Sequence, residues 1–247
     1  MTIEFPPEFS TQYQTHLQRL KLAGFRPKTI EAYSQGVRRA GAYFEYQIDA
    51  LSEAQLTQYF SDLLETHSWS TLKHDLYGLK FYYAKVLHQD WPAPTLIKAP
   101  HSQRLPDIVT VAQMQQIIAG TRVLSYRVFF YVLYSLGLRL GEGLRLQVGD
   151  IDGDRLRVQI RDAKGNRDRF VPLPLTTLSV LRRFWAVHKH PVLLFPNRAG
   201  GLKKAHLAAS HMDDGGVQKA LRAVCASCGL KKEFRPIVCA TAMPPIA

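Results

Sequence analysis

The sequence predicts a mainly α chain in two parts, the second of which carries a small antiparallel β-hairpin. Three observations predict this. The first ninety residues show helical spacing with explicit start signals and no strand-like alternation. Four prolines then fall within "WPAPTLIKAPHSQRLPD", a density that stops helices and favours extended chain. Beyond them, the helical pattern changes to period two in "LRVQIRD", which is followed by turn residues and "RFVPLP".

The helices follow in order. Ser10 precedes "TQYQTHLQRLKLAG", and Gly24 is its expected stop. Pro27 stands where a helix begins, and Ile30, Tyr33, Val37, Ala40 and Phe44 line one face of the next. Ser52 with Gln55 forms a capping box for the third. The fourth is expected from Ser70 to Gln89, with Leu72, Leu76, Leu79, Tyr83 and Leu87 on one face. Residues 1–90 thus read as a four-helix bundle and 91–108 as a basic proline-rich linker. Thr110 with Gln113 opens the second part at about residue 109. "SYRVFFYVLYSLG" is a buried helix ending at Gly137, and a short helix carrying Glu142 follows. Leu156, Val158 and Ile160 alternate with Arg155, Arg157, Gln159 and Arg161, giving a strand with one basic face. "LTTLSVLRRFWAVHKH" and "DDGGVQKALRAVCASCG" are helical.

Composition limits the function. With 32 Lys+Arg against 20 Asp+Glu the formal charge is +12, which points to a polyanionic partner, usually nucleic acid. No apolar run is long enough to span a membrane, and the start, "MTIEFPPEFSTQYQ", has no signal-peptide pattern; a cytoplasmic protein is expected. Three cysteines do not make a disulfide framework. Cys225 and Cys228 have zinc-like spacing but no second ligand pair, so they read as structural residues of a helix, and no metal is expected.

Two stretches carry chemistry. Arg139 follows the buried helix, with Glu142 three residues on. Two roles fit the arginine: a structural ion pair with Glu142, or a guanidinium fork for phosphate oxygens. Lys164 stands in the turn "DAKGNRD", where Gly165 and Asn166 supply the positive φ of a tight turn. It is either a solvated turn lysine or a cation presented beside a basic strand face.

Together these stretches resemble the tyrosine site-specific recombinases, the phage-integrase family. "YVLYSLGLRLGEGLRLQVGDID" is similar to the family's first catalytic box. "DAKGNRDRFVPLP" resembles its lysine hairpin, G-K-G-N-K-x-R-x-V-P-L, with Ala163 in place of the first glycine. "RPKTIEAYSQGVRR" and "STLKHDLYGLKFYY" are similar to the second and fourth helices of its core-binding domain. The resemblance implies a SAM-like helical core-binding domain over 1–90 and a partial α+β catalytic domain over 109–236. It implies that Arg139 grips the scissile phosphate, Glu142 braces that segment and Lys164 protonates the leaving 5′-oxygen, with no metal and no cofactor. It also implies double-stranded DNA as partner, met in the first domain by Lys28, Arg38, Lys73 and Lys80, and tetramers on two DNA sites.

The family continues with H-x-L-R-H, a further His or Trp, and a tyrosine nucleophile that forms a 3′-phosphotyrosine. Here "FRPIVCATAMPPIA" occupies that place, and the last tyrosine in the sequence is Tyr134. No nucleophile is present, so strand transfer is not expected of this chain; a DNA-binding remnant that occupies recombination sites is the alternative. Codons consistent with "PIVCATAMPPI", read one base out of register from Pro236, give H-S-L-R-H-C-Y-A-T-H. Residues 237–247 are therefore expected to be an aberrant, frameshifted tail. Loss of the closing helices is expected to leave Phe129–Leu133 uncovered and the second domain poorly stable.

Overall fold

The computed structural model of the protein describes residues 5–92, 97, 109–163 and 167–230. The chain forms two compact units, Met1–Ser102 and Gln103–Ala247. In the first, helix α1 (Pro7–Leu22) starts at Pro7 rather than after Ser10. Proline at the first helical position has its φ preset and lacks only an N–H that would be unpaired there. The Ser10 N–H already donates to the Pro6 carbonyl at 2.8 Å, which places Ser10 inside the first turn. Gly24, at φ +75°, lies just past the end of α1. Pro27 opens α2 (Pro27–Tyr43), and the Ser52–Gln55 capping box opens α3 (Glu53–Thr66). Helix α4 (Trp69–Tyr82) begins one residue earlier than expected, because Ser68 accepts from the Thr71 N–H. It ends earlier too. Tyr83–Leu87 winds as a single π turn, and His88 closes it at φ +56°. The buried Tyr83 hydroxyl, which donates to the Ile48 carbonyl at 2.6 Å and accepts from the Leu51 N–H at 3.1 Å, holds this end.

The core of this unit is aromatic and aliphatic: Phe9, Val37, Leu56, Phe60, Leu72 and Leu79 are all buried. Helices α2 and α4 cross with their backbones touching. A Cβ on Gly78 would stand 2.6 Å from the Tyr33 carbonyl oxygen, and one on Gly36 2.7 Å from the Asp75 Cα. Backbone cannot yield as a flexible side chain can, so the helices would have to separate. Gly78→Ala should therefore destabilise the unit by roughly 1–3 kcal/mol, although alanine is the better helix former by about 1 kcal/mol. Urea unfolding of the variant checks this; an unchanged or raised midpoint would mean that the crossing is looser than described.

In the second unit the Thr110–Gln113 capping box starts α5 (Val111–Gly120). The apolar α6 (Leu124–Leu136) ends at Gly137, which takes φ +60°, and the Leu138 N–H closes back on the Leu133 carbonyl. Helix α7 (Leu140–Leu144) follows. The expectation that Phe129–Leu133 lies uncovered is wrong. Phe129 is 0% and Leu133 2% exposed. Gly143 of α7 rests on both side chains, and the Phe195 ring meets Phe129 edge-on at 5.0 Å. Side chains of α8 (Leu175–His188) and α9 (Asp214–Ser227) complete the same core.

The sheet has three antiparallel strands in the order β1 (Ile151–Asp152), β2 (Arg157–Ala163) and β3 (Arg167–Pro172). The two-residue β1 escaped the sequence reading, and its presence moves Leu156. That residue sits in the turn from β1 to β2 at φ +49°, 37% exposed, not in the strand. Val158 and Ile160 face the core as expected, pairing with Val171 and Arg169. Cys225 is buried on α9, where burial raises its thiol pKa, and Cys228 caps that helix.

Candidate functional site

The site is built at the junction between α6 and α7. Gly137 and the buried Leu138 turn the chain so that Arg139 becomes the residue preceding α7. The Arg139 N–H would be unpaired at this helix start, and Glu142 Oε2 accepts it at 2.9 Å. Glu142 Oε1 also accepts from Arg139 Nη1 at 2.8 Å. Gly143 comes next: a Cβ there would come 2.5 Å from the Leu133 Cδ2, so glycine lets α7 lie flat on α6 without displacing that side chain.

A third residue completes the cluster. Arg169 of β3 forks onto the same carboxylate, Nη1 to Oε1 at 2.9 Å and Nη2 to Oε2 at 3.0 Å. The Glu142 side chain is 3% exposed and meets two guanidinium groups. Burial pushes its pKa up, but the bonds from Arg169 and Arg139 outweigh burial and leave it below the ordinary value. One buried negative charge thus faces two positive ones. Arg139 remains 47% exposed, and its Nε and Nη2 have no partner among the described residues. A guanidinium anchored at one corner and open at the others is suited to receive a planar or tetrahedral oxyanion.

A similar clamp stands alongside. Asp150 Oδ1 accepts from Arg161 Nε of β2 at 2.6 Å, and its Oδ2 accepts the Gln147 N–H at 2.9 Å. Both strands of the hairpin are therefore tied by arginine to buried carboxylates in the segment after α6.

Of the residues singled out from the sequence, Arg139 and Glu142 meet. Lys164 lies outside the described residues, although the strands on either side of it are described. Arg169 was missed. Its signal in the sequence is the arginine of the hairpin motif itself, the R of G-K-G-N-K-x-R-x-V-P-L. In the first unit Lys73 and Lys80 are exposed on α4, and Lys28 is exposed in the first turn of α2. Arg38 is half-buried, with its guanidinium 6.0 Å from the Tyr13 ring centre. Its neighbour Arg39 forks onto Asp75 of α4.

Among the described residues no group of three His, Cys, Asp or Glu side chains is placed to hold a metal ion, and no helix is long and apolar enough to cross a membrane.

The model of the phage integrase N-terminal SAM-like domain matches residues 13–93, and that of the phage integrase family matches residues 107–238. A putative integrase/recombinase, y4qK of Sinorhizobium fredii, is 33% identical over 125 residues, 50% of this chain and 41% of that protein. An integrase/recombinase of Escherichia coli is 32% identical over 186 residues, covering 73% of this chain and 55% of that protein. The chain spans about half the length of the curated relatives it matches. Among solved structures, a lambda integrase tetramer bound to a Holliday junction superposes with a TM-score of 0.69 at 12% identity, covering 93% of this chain and 67% of that one. That likeness is one of fold.

Proposed function

Because the chain belongs to the phage integrase family, the tyrosine recombinases, we propose that it binds double-stranded DNA at recombination sites and holds a backbone phosphate on Arg139. We read residues 1–90 as the core-binding domain, 91–108 as a linker and 109–236 as a partial catalytic domain. The observation that carries the proposal is the buried Glu142 carboxylate held by two guanidiniums, with Arg139 left half-exposed and only partly engaged.

The chemistry follows from the charges. Attack on a phosphodiester builds negative charge on the non-bridging oxygens, and a fixed guanidinium stabilises it without reorganising. Glu142 fixes that guanidinium, so its role is support. Lys164 is the general acid that protonates the leaving 5′-oxygen. The attacking group would be a tyrosine hydroxyl. These 247 residues contain no tyrosine after Tyr134, and Tyr134 is part of α6. We therefore assign this chain binding without strand transfer: integration or excision through a 3′-phosphotyrosine belongs to the family's chemistry, not to these residues alone. A tetramer on DNA is described for the lambda integrase neighbour, and assembly on two DNA sites is the corresponding proposal here.

In the first unit Lys28, Lys73 and Lys80 are assigned to phosphates. Arg38 is assigned with them, although it is half-buried with its guanidinium over the Tyr13 ring.

Two measurements test the reading together. Affinity for labelled duplex DNA should fall steeply with salt, log Kd against log salt rising by about 0.9 per phosphate contact. A nicked suicide duplex that traps phosphotyrosine adducts should give no covalent band in a denaturing gel. Salt-independent binding would contradict the phosphate assignment, and an adduct would contradict the absence of strand transfer.

A further inference from the structure

We propose that Arg169 is a positioning residue, which sets Glu142 and through it Arg139 and does not itself grip DNA. The inference rests on the reading of Arg139 as the phosphate-binding group.

Without Arg169, every bond that Glu142 makes among the described residues returns to Arg139, three residues away. Both would then belong to one local unit at the start of a five-residue helix. So short a helix is not stable alone; Gly143 and Leu144 pack it on the core, but that apolar contact does not orient the carboxylate on its polar side. Arg169 supplies the external reference. It is paired in register with Ile160, whose side chain is buried in the core, so its backbone is fixed by the sheet. Its two terminal nitrogens each meet a different oxygen of Glu142, at 2.9 and 3.0 Å. A two-point fork fixes the plane of the carboxylate, whereas a single bond leaves it free to rotate. The carboxylate plane in turn decides where Arg139 Nη1 must lie.

Arg169 commits both terminal nitrogens to this task, while Arg139 commits one. That asymmetry separates the roles: one arginine is used up in the scaffold, and the other keeps donors for a ligand. The Asp150–Arg161 bond on the neighbouring strand holds the hairpin at a second point and limits its rotation about the first.

The test uses the whole chain and a fluorescein-labelled duplex of random sequence, with anisotropy read over a salt series and thermal melting alongside. Arg139→Ala should weaken binding on the order of tenfold and lower the salt slope by about one. Arg169→Ala should reproduce both changes, and the double variant should bind no more weakly than Arg139→Ala. Arg169→Lys should recover only part of the affinity, because an ammonium cannot fork both oxygens. Additive losses with a further drop in slope would show that Arg169 contacts DNA directly and overturn the inference. So would an Arg169→Ala protein that melts lower but binds as the wild type does. Wild-type binding by Arg139→Ala would defeat the phosphate reading itself and the inference with it, a result separable from the other two. Should Arg169→Ala fail to fold, Arg169→Lys alone and combined with Arg139→Ala makes the same comparison.

Discussion

Asp75→Ala is expected to destabilise the N-terminal unit by about 3 kcal/mol, the cost of leaving a buried hydroxyl without an acceptor and a partly exposed arginine without its counter-charge. The Asp75 side chain is 0% exposed. It accepts from Arg39 Nε at 2.9 Å and Nη2 at 2.6 Å, both from α2, and from the Tyr59 hydroxyl of α3 at 2.8 Å. One carboxylate on α4 therefore joins three helices, at the place where Gly36 brings α2 against it. Alanine would leave the Tyr59 hydroxyl buried without an acceptor and Arg39 without a counter-charge. The matched controls separate these costs. Tyr59→Phe removes one donor and keeps the fork, so it should cost about 1 kcal/mol. Asp75→Asn keeps an acceptor but loses the charge, and should fall between the two. A drop in Tm of at least ~10 °C is expected for Asp75→Ala. A loss no greater than that of Tyr59→Phe would show that the ion pair contributes nothing beyond its hydroxyl bond.

The same residue shows what a sequence displays and what it conceals. Signals that act within four residues were legible. Pro27, the Ser52–Gln55 box, the Thr110–Gln113 box and Gly137 each use side chain and backbone of one turn, and each stands where expected. The Arg139–Glu142 pair was legible for the same reason. Asp75 meets Arg39, 36 residues away, and Arg169 meets Glu142, 27 residues away, so neither bond has a local trace. The cover over Phe129–Leu133 is also non-local, coming from Gly143, Phe195 and the later helices. Leu156 continues the alternation of the strand after it, and only the unforeseen pairing of β1 with β2 makes it a turn residue. For the DNA-binding candidates, periodicity could place Arg38 on a helix. It could not tell that Arg39 would take the buried carboxylate while Arg38 lay over Tyr13.

The N-terminal unit should also lose stability between about pH 6.5 and pH 4, and His16 is the cause. His16 is 0% exposed on α1, its ring meets Phe81 and Tyr82 edge-on, and neither ring nitrogen has a partner among the described residues. Burial lowers its pKa from 6.5 to about 4. The sign follows from linkage. The unfolded chain takes up a proton as pH falls through 6.5, and the folded chain resists until about 4, so within that window acid favours unfolding. A depression of that size corresponds to roughly 3 kcal/mol at the acid end of the window, with none lost above it. His16→Leu supplies an apolar side chain that titrates nowhere, and should flatten this part of the stability–pH curve while leaving neutral stability close to that of the parent. His188 in the second unit has its pKa lowered to about 4 as well, by burial first and the neighbouring His190 second. The leucine variant should therefore remove the acid sensitivity of the first unit alone. Unfolding midpoints of the two units across this pH range decide the matter. An unchanged slope in His16→Leu would place the acid sensitivity on other groups and show the buried imidazole to be better solvated than its surroundings indicate.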